Sequence, residues 1–79
     1  MKIAIVNWTD SALHGTETYK PTDPILRPVT GVSVGIVIRE DKESITLAID
    51  SWDTGEFRNC ETVCKRQINK IQYKELELK

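Results

Sequence analysis

The residues of this chain that could do chemistry are few, and they do not form a catalytic set. Asp10, Ser11 and His14 lie close together and have the side-chain types of an orienting acid, a nucleophile and a base. Closeness in sequence is not triad geometry, and no nucleophile-elbow or oxyanion-hole pattern accompanies them. The four glycines are scattered, so the sequence has no glycine-rich phosphate loop. We therefore expect no catalytic residues and no enzymatic activity.

The thiols and the imidazole do not indicate a metal site or a disulfide. The chain has two cysteines, Cys60 and Cys64, and one histidine, whereas a structural zinc site usually takes four such ligands. If residues 60–64 are extended, the two cysteine Cα atoms lie roughly 13 Å apart, beyond the reach of a disulfide. The sequence thus predicts two reduced thiols, no metal and no cofactor.

Aromatic side chains are better candidates for a binding site. Trp8 and Trp52 each end a predicted strand, where an indole can stack on a nucleobase with a gain of about 1–3 kcal/mol. Each tryptophan can instead be one of the largest pieces of a small core. Tyr19 lies in a loop with several prolines, either as a third ligand contact or as an anchor that fixes the loop to the domain.

Arginine side chains are the candidates for binding an anion. A guanidinium group pairs with phosphate through two parallel hydrogen bonds, which suits Arg27, Arg39 and Arg58 to a phosphorylated ligand. Arg39 ends the second predicted strand and Arg58 lies in the fourth, so we expect these two to flank one edge of the sheet. The alternative for each arginine alone is a solvated surface charge.

The elements that must position these side chains are predicted to be β-strands. Apolar and polar residues alternate from Val32 to Ile38 and again from Ile45 to Ile49. Other strands are predicted over residues 2–8, 57–63 and 68–74, although the last segment could also form a helix. Residues 53–55 have the composition of a three-residue hairpin loop, and residues 65–67 that of a 3₁₀ turn.

The long connection and the mid-strand glycine complete the fold prediction. Residues 9–29 contain the three prolines and lack periodicity, so they are predicted to form a long loop after strand 1. Gly35 fits a sharp bend in the second strand. The sequence therefore predicts one mostly β domain over residues 1–79, a small five-stranded SH3-like or Sm-like barrel.

Charge and size restrict the possible partners. A formal net charge of −1 disfavours duplex DNA and anionic membranes as the main partner. The apolar run after Lys2 is too short for a signal peptide, and no run has the length of a membrane span. We therefore expect a cytoplasmic protein. Because a chain of 79 residues has a small core, we also expect it to form a homo-oligomer.

Three short segments resemble a group of small phage-encoded proteins. In that group a strand ends in Trp-x-Asp-Ser and a loop follows, an acidic hairpin joins the central strands, and Ile-Pro-Lys often precedes the last strand. The matching segments here are Val6-Asn7-Trp8-Thr9-Asp10-Ser11 with His14-Gly15, Ser33-Val34-Gly35 with the turn at Glu40-Asp41, and Ser44-Ile45-Thr46-Leu47-Ala48. The chain departs from the group at Val63-Cys64-Lys65, which lacks the proline.

The resemblance implies a function in the evasion of host defence. Some similar phage proteins are anti-CBASS sponges, oligomers that sequester a cyclic nucleotide signal without cleaving it. The implied ligand is a cyclic di- or oligonucleotide at a subunit interface in the host cytosol. From their side-chain types, the residues expected to contact it are Trp8, Ser11, His14, Tyr19, Arg39, Trp52 and Arg58. Two alternatives stay open: an SH3-like protein-interaction module that inhibits a host protein, and an Sm-like RNA binder, which the net charge disfavours.

Overall fold

A computed structural model describes residues 1–11 and 18–77 of the chain. In this part of the chain, the elements in order are β1 Lys2–Asp10, β2 Val29–Glu40, β3 Ser44–Ser51, β4 Phe57–Cys64, a 3₁₀ turn Lys65–Gln67 and β5 Ile68–Glu75. Each predicted strand is confirmed, as is the 3₁₀ turn. The last segment is a strand rather than a helix because its β-rich residues pair along β1.

The strands form one antiparallel sheet that is not closed. Their order across the sheet is β4-β3-β2-β1-β5, which places β4 and β5 at opposite edges. Among the described strands, no pairing joins these two edges. The mostly β, five-stranded part of the prediction is thus confirmed for an open sheet, and the SH3-like or Sm-like barrel type stays a prediction.

Strand β2 changes its neighbour part-way along its length. Its residues pair with β1 from Val29 to Ile36 and with β3 from Ile36 to Glu40, with a register shift between Val37 and Arg39. Gly35 lies at the change of neighbour, where an added Cβ would be 2.8 Å from the backbone carbonyl oxygen of Ala48. Only glycine permits that approach of the two strands, which is a common role of glycine inside a strand.

The core lies on one face of the sheet. Successive side chains of a strand point to opposite faces, and the alternate residues that share this face make up the core. Its buried members are Ala4, Val6, Ile45, Leu47 and Val63, against which Trp8, Val37, Ile68 and Ile71 pack. Val32 and Val34 belong to the other face of β2 and are 61% and 57% exposed. The apolar face that alternation predicts on β2 is therefore largely open to solvent in its first half.

A polar cluster joins the far end of β2 to the last strand. The Tyr73 hydroxyl donates a hydrogen bond to Glu40 Oε2 at 2.6 Å, and Lys65 Nζ lies 2.8 Å from the same oxygen. The hydrogen bonds from Lys65 and then Tyr73 hold the pKa of Glu40 below its usual value. In turn the hydrogen bond to Glu40, with some burial, raises the pKa of Tyr73 to about 12. The cluster therefore contributes stability only while Glu40 is ionised and Tyr73 is protonated.

Alkaline pH is expected to weaken the protein through this cluster. Since the pKa of Tyr73 rises from 10.0 to about 12 on folding, its contribution is complete below the unfolded value and is lost as the pH passes the folded value. The loss should be less than about 1 kcal/mol because the contact is partly exposed. Urea titrations from neutral pH to strong alkali should therefore show a steeper fall in stability for the wild type than for Tyr73→Phe. Parallel curves for the two proteins would contradict the assignment.

In the described part of the chain, no helix has the length and apolar character needed to cross a membrane.

Candidate ligand-binding site

The loop of the β3–β4 hairpin lies at residues 53–55, as the sequence predicts. Trp52 N–H donates to the Glu56 carbonyl oxygen at 2.8 Å, and Gly55 N–H donates to the Trp52 carbonyl oxygen at 3.0 Å. Gly55 has a φ of 86°, the left-handed conformation that such a loop requires of one residue. These bonds fix the backbone of Trp52 at the point where β3 ends.

Trp52 and Arg58 lie against each other across this hairpin. The guanidinium carbon of Arg58 is 5.1 Å from the centroid of the Trp52 ring, within the range of a cation–π interaction. The Trp52 residue is 50% exposed. The pair thus presents an indole and a cation side by side at the surface.

Asp50 orients the guanidinium group of Arg58. Arg58 Nε donates to Asp50 Oδ2 at 3.1 Å, and Asn59 Nδ2 donates to the same oxygen at 3.0 Å. Asp50 and Arg58 are also direct partners in the strand register. The bond occupies Nε alone, and the two terminal nitrogens of Arg58 make no hydrogen bond to any residue that the structure describes. Those two nitrogens can donate a pair of parallel hydrogen bonds to two oxygens of a phosphate group.

A shallow hollow adjoins the pair. It has a volume of about 210 Å³ and is lined by Trp52, Glu56, Phe57 and Arg58. Sites that enclose a small ligand usually measure about 300–1,000 Å³. The hollow on one chain can therefore hold one base or one phosphate, but it cannot enclose a dinucleotide.

Trp8, the other predicted aromatic contact, is partly buried and packs against the core. Its Nε1 donates a hydrogen bond of 2.9 Å to Ser33 Oγ, and that hydroxyl donates to Glu61 Oε1. The ring covers Gly31 so closely that a Cβ there would lie 2.2 Å from the Trp8 Cζ2 atom. Of the two interpretations that the sequence leaves open for Trp8, the structure favours the core.

The other predicted contacts follow in the chain between β1 and β2. Ser11 is exposed at the end of β1, where its N–H donates to Asp10 Oδ1 at 2.7 Å. Tyr19 is partly buried in the segment before β2. His14 lies outside the described residues. Ser11 and Tyr19 are not among the residues that line the hollow beside Trp52 and Arg58, and the roles of all three residues stay predictions.

The two arginines predicted to flank one edge are separated. Arg39 pairs with Thr46 at the start of β3, whereas Arg58 pairs with Asp50 near its end. At the rise of an extended strand these two β3 positions are roughly 13 Å apart. Arg39 also belongs to an inner strand, and Arg58 to an edge strand. The Trp52–Arg58 contact itself was not predicted, although the hairpin loop between the two residues was.

Metal chemistry and known relatives add no further assignment. Among the residues that the structure describes, no group of three or more His, Cys, Asp or Glu side chains could hold a metal ion. Neither a protein-family model, a curated protein nor a solved structure gives a significant match to the chain. The geometry of the hairpin site and the three segments that resemble small phage proteins are the two features of the chain that indicate a function.

Proposed function

We propose that this protein binds and sequesters a cyclic di- or oligonucleotide without cleaving it, as a phage-type protein that evades host defence. The observation that supports the proposal is the Trp52–Arg58 pair. It places a half-exposed indole beside a guanidinium whose terminal nitrogens are unoccupied by the described residues. A nucleotide needs those two kinds of partner, an aromatic face for the base and a cation for the phosphate.

The base would stack on the indole face that Arg58 does not cover. Stacking of a base on an aromatic side chain contributes about 1–3 kcal/mol. The terminal nitrogens of Arg58 would donate charge-assisted hydrogen bonds to a phosphate, while Asp50 keeps the guanidinium in place. Phe57, which is 41% exposed, would border the base on the hairpin side.

Enclosure of the ligand would require a second subunit. The hollow of about 210 Å³ accommodates only part of a cyclic dinucleotide, and a sequestering protein must withdraw the whole signal from water. A homo-oligomer that apposes two such hairpins would provide two aromatic faces and two cations for two bases and two phosphates. This arrangement needs no catalytic acid or base.

An SH3-like protein-interaction module is the second candidate. The observation that favours it is the exposed apolar surface on β1 and β2, where Ile5, Val32 and Val34 are 37%, 61% and 57% exposed. Surface of this kind is common at protein–protein interfaces. That module would inhibit a host protein directly, and its affinity would not depend on Trp52 and Arg58 as a pair.

Calorimetric titration with cyclic di- and trinucleotides and linear dinucleotides tests the proposal. We expect one cyclic nucleotide to bind and to be recovered intact by chromatography. Trp52→Ala should weaken that binding by about 5- to 150-fold, the equivalent of one lost stacking interaction. Arg58→Ala should weaken it by a similar factor. Arg39→Ala removes a cation at the opposite end of β3 and should leave affinity within about twofold, since surface changes away from a site have small effects.

Three results would overturn the proposal. Wild-type protein that binds no member of the panel is not a nucleotide sponge, and a host-protein capture would then test the second candidate. Conversion of the nucleotide to a linear product would show catalysis. Equal losses for Arg39→Ala and Arg58→Ala would show that the hairpin is not the site.

A further inference from the structure

A cleft opens where β2 and β3 separate. The last pair between the two strands is Ile36 with Ala48, and beyond it β2 pairs only with β1 while β3 pairs only with β4. The space between them measures about 460 Å³. Its lining includes Val32 and Val34 of β2, Ala48 and Ile49 of β3, and Cys60 and Glu61 of β4.

The cleft has the properties of a site for an extended peptide. Val32, Val34 and Ile49 are 61%, 57% and 70% exposed, so its walls offer apolar contacts. Each wall is also a strand with no further strand on the cleft side among the described residues. Unpaired strand edges accept another extended chain through backbone hydrogen bonds, and side-chain pockets select its residues.

The segment before β2 is a complementary chain within the same sequence. We define residues 20–28 as the arm. In the described structure its backbone hydrogen bonds stay within the arm, from Asp23 N–H to Lys20, from Leu26 N–H to Asp23 and from Arg27 N–H to Ile25. Ile25 and Leu26 are 54% and 39% exposed. The arm thus carries two adjacent apolar side chains that the sheet does not cover.

The arm and the cleft also match in charge. Glu61 is the charged residue among those that line the cleft. Arg27 follows the apolar pair of the arm directly and makes no ion pair with any described residue. An arm that places its apolar pair against Val32 and Ile49 can bring Arg27 to the Glu61 carboxylate.

The arm does not occupy the cleft of its own chain. None of its residues is among those that line the cleft, and its apolar pair is exposed. The backbone bends at Arg27, and the next residue, Pro28, leads directly into β2. The described arm therefore leaves both its own apolar pair and the cleft uncovered.

We propose that the arm of one copy docks in the β2–β3 cleft of a second copy, and that two copies exchange arms in a two-fold dimer. Ile25 and Leu26 occupy the apolar part of the cleft, and Arg27 pairs with Glu61. The exchange would bury apolar surface that is exposed in the single chain, whose own buried core is small. The proposal does not depend on nucleotide binding.

Light scattering coupled to gel filtration, without nucleotide, tests the dimer. The wild type should elute with twice the 9.0 kDa chain mass. The double variant Ile25→Asp with Leu26→Asp should raise the dissociation constant at least tenfold and elute as a monomer, with the circular dichroism of the wild type. Thr22→Asp adds a charge to the same exposed arm without removing an apolar contact, so it should remain dimeric. A wild type that is monomeric at all concentrations, or a dimer that survives the double variant, would overturn the proposal.

A cross-link identifies which cleft the arm enters. Cys60 is free and exposed and lines the cleft. In a Cys64→Ser background, Ile25→Cys should form a disulfide with Cys60 of the other copy under mild copper-catalysed air oxidation, and Thr22→Cys should form far less. The linked dimer should dominate on a non-reducing gel. A disulfide within one chain would instead show that the arm closes on its own cleft, and the absence of any link would exclude the cleft as its site.

Discussion

Replacement of Leu47 by Asp is expected to leave the chain without a cooperative unfolding transition. Leu47 is 3% exposed and belongs to the buried cluster with Val6 and Ile45. Loss of a buried leucine side chain costs about 2–5 kcal/mol, and an unpaired carboxylate in its place adds a further burial penalty. The whole stability of a domain of this size is about 4–12 kcal/mol. The substitution should therefore remove most or all of it.

Ile49→Asp is the matched control for this prediction. Ile49 follows Leu47 by one strand period and so points to the same face of β3, but it is 70% exposed. Because Ile49 also lines the proposed arm cleft, the comparison is made in the Ile25→Asp, Leu26→Asp background, in which no arm should dock. In that background its replacement should leave the circular dichroism spectrum and the urea transition unchanged. A Leu47→Asp protein that unfolds cooperatively in urea, at the midpoint of the Ile49→Asp protein, would show that the register of β3 is wrong.

The contrast between Leu47 and Ile49 marks the limit of the sequence prediction. Alternation along Ile45, Leu47 and Ile49 identifies which residues share a face, because side chains reverse at every residue of a strand. It cannot show that β2 turns away from β3 after Ala48 and leaves Ile49 uncovered. That separation is a property of the sheet and depends on contacts between strands distant in sequence.

The same limit applies to β2. Its even-numbered residues are the more apolar, and alternation predicts that they form one continuous apolar face. The core lies instead on the face of Gly31, Ser33 and Gly35, where small residues admit the Trp8 ring and the close approach of β3. Small residues give a weak hydrophobic signal although they lie at the closest contacts. A face is therefore assigned to the core by what packs on it as much as by its own hydrophobicity.

The proximity of Trp52 and Arg58 could be predicted from the sequence, but the orientation of their side chains could not. The hairpin loop at residues 53–55 predicts that the ends of β3 and β4 are adjacent, and this is enough to place Trp52 near Arg58. Antiparallel pairing also predicts that Arg39 and Arg58 are apart. Arg39 of β2 pairs with the start of β3, whereas Arg58 of β4 pairs near its end. The orientation of Arg58 by Asp50 could not be predicted, because it depends on the side-chain rotamers of two neighbouring strands.

The two tryptophans are expected to respond to truncation in opposite ways. Trp8→Ala should lower the free energy of unfolding by about 3–5 kcal/mol, the usual cost of removing a large aromatic side chain from a core. The ring covers Gly31 and packs against the buried cluster. Loss of its hydrogen bond to Ser33 also removes an interaction worth about 1 kcal/mol. Trp52→Ala, at a residue 50% exposed, should cost less than about 1 kcal/mol.

Urea titrations of the two variants, followed by circular dichroism, measure these losses of unfolding free energy. The comparison assumes the same dependence of that free energy on urea concentration for both variants. Trp8→Phe gives the intermediate case, because phenylalanine keeps an aromatic ring over Gly31 but cannot donate to Ser33. Its loss of stability should fall between that of Trp8→Ala and that of the wild type. Equal destabilisation by Trp8→Ala and Trp52→Ala would place both indoles in the core and remove the aromatic half of the proposed nucleotide site. If Trp52→Ala has wild-type stability, the fold does not need the Trp52 indole, which is then available to contact a ligand in the wild type. Any affinity that the variant loses can then be assigned to the missing contact rather than to a weakened fold.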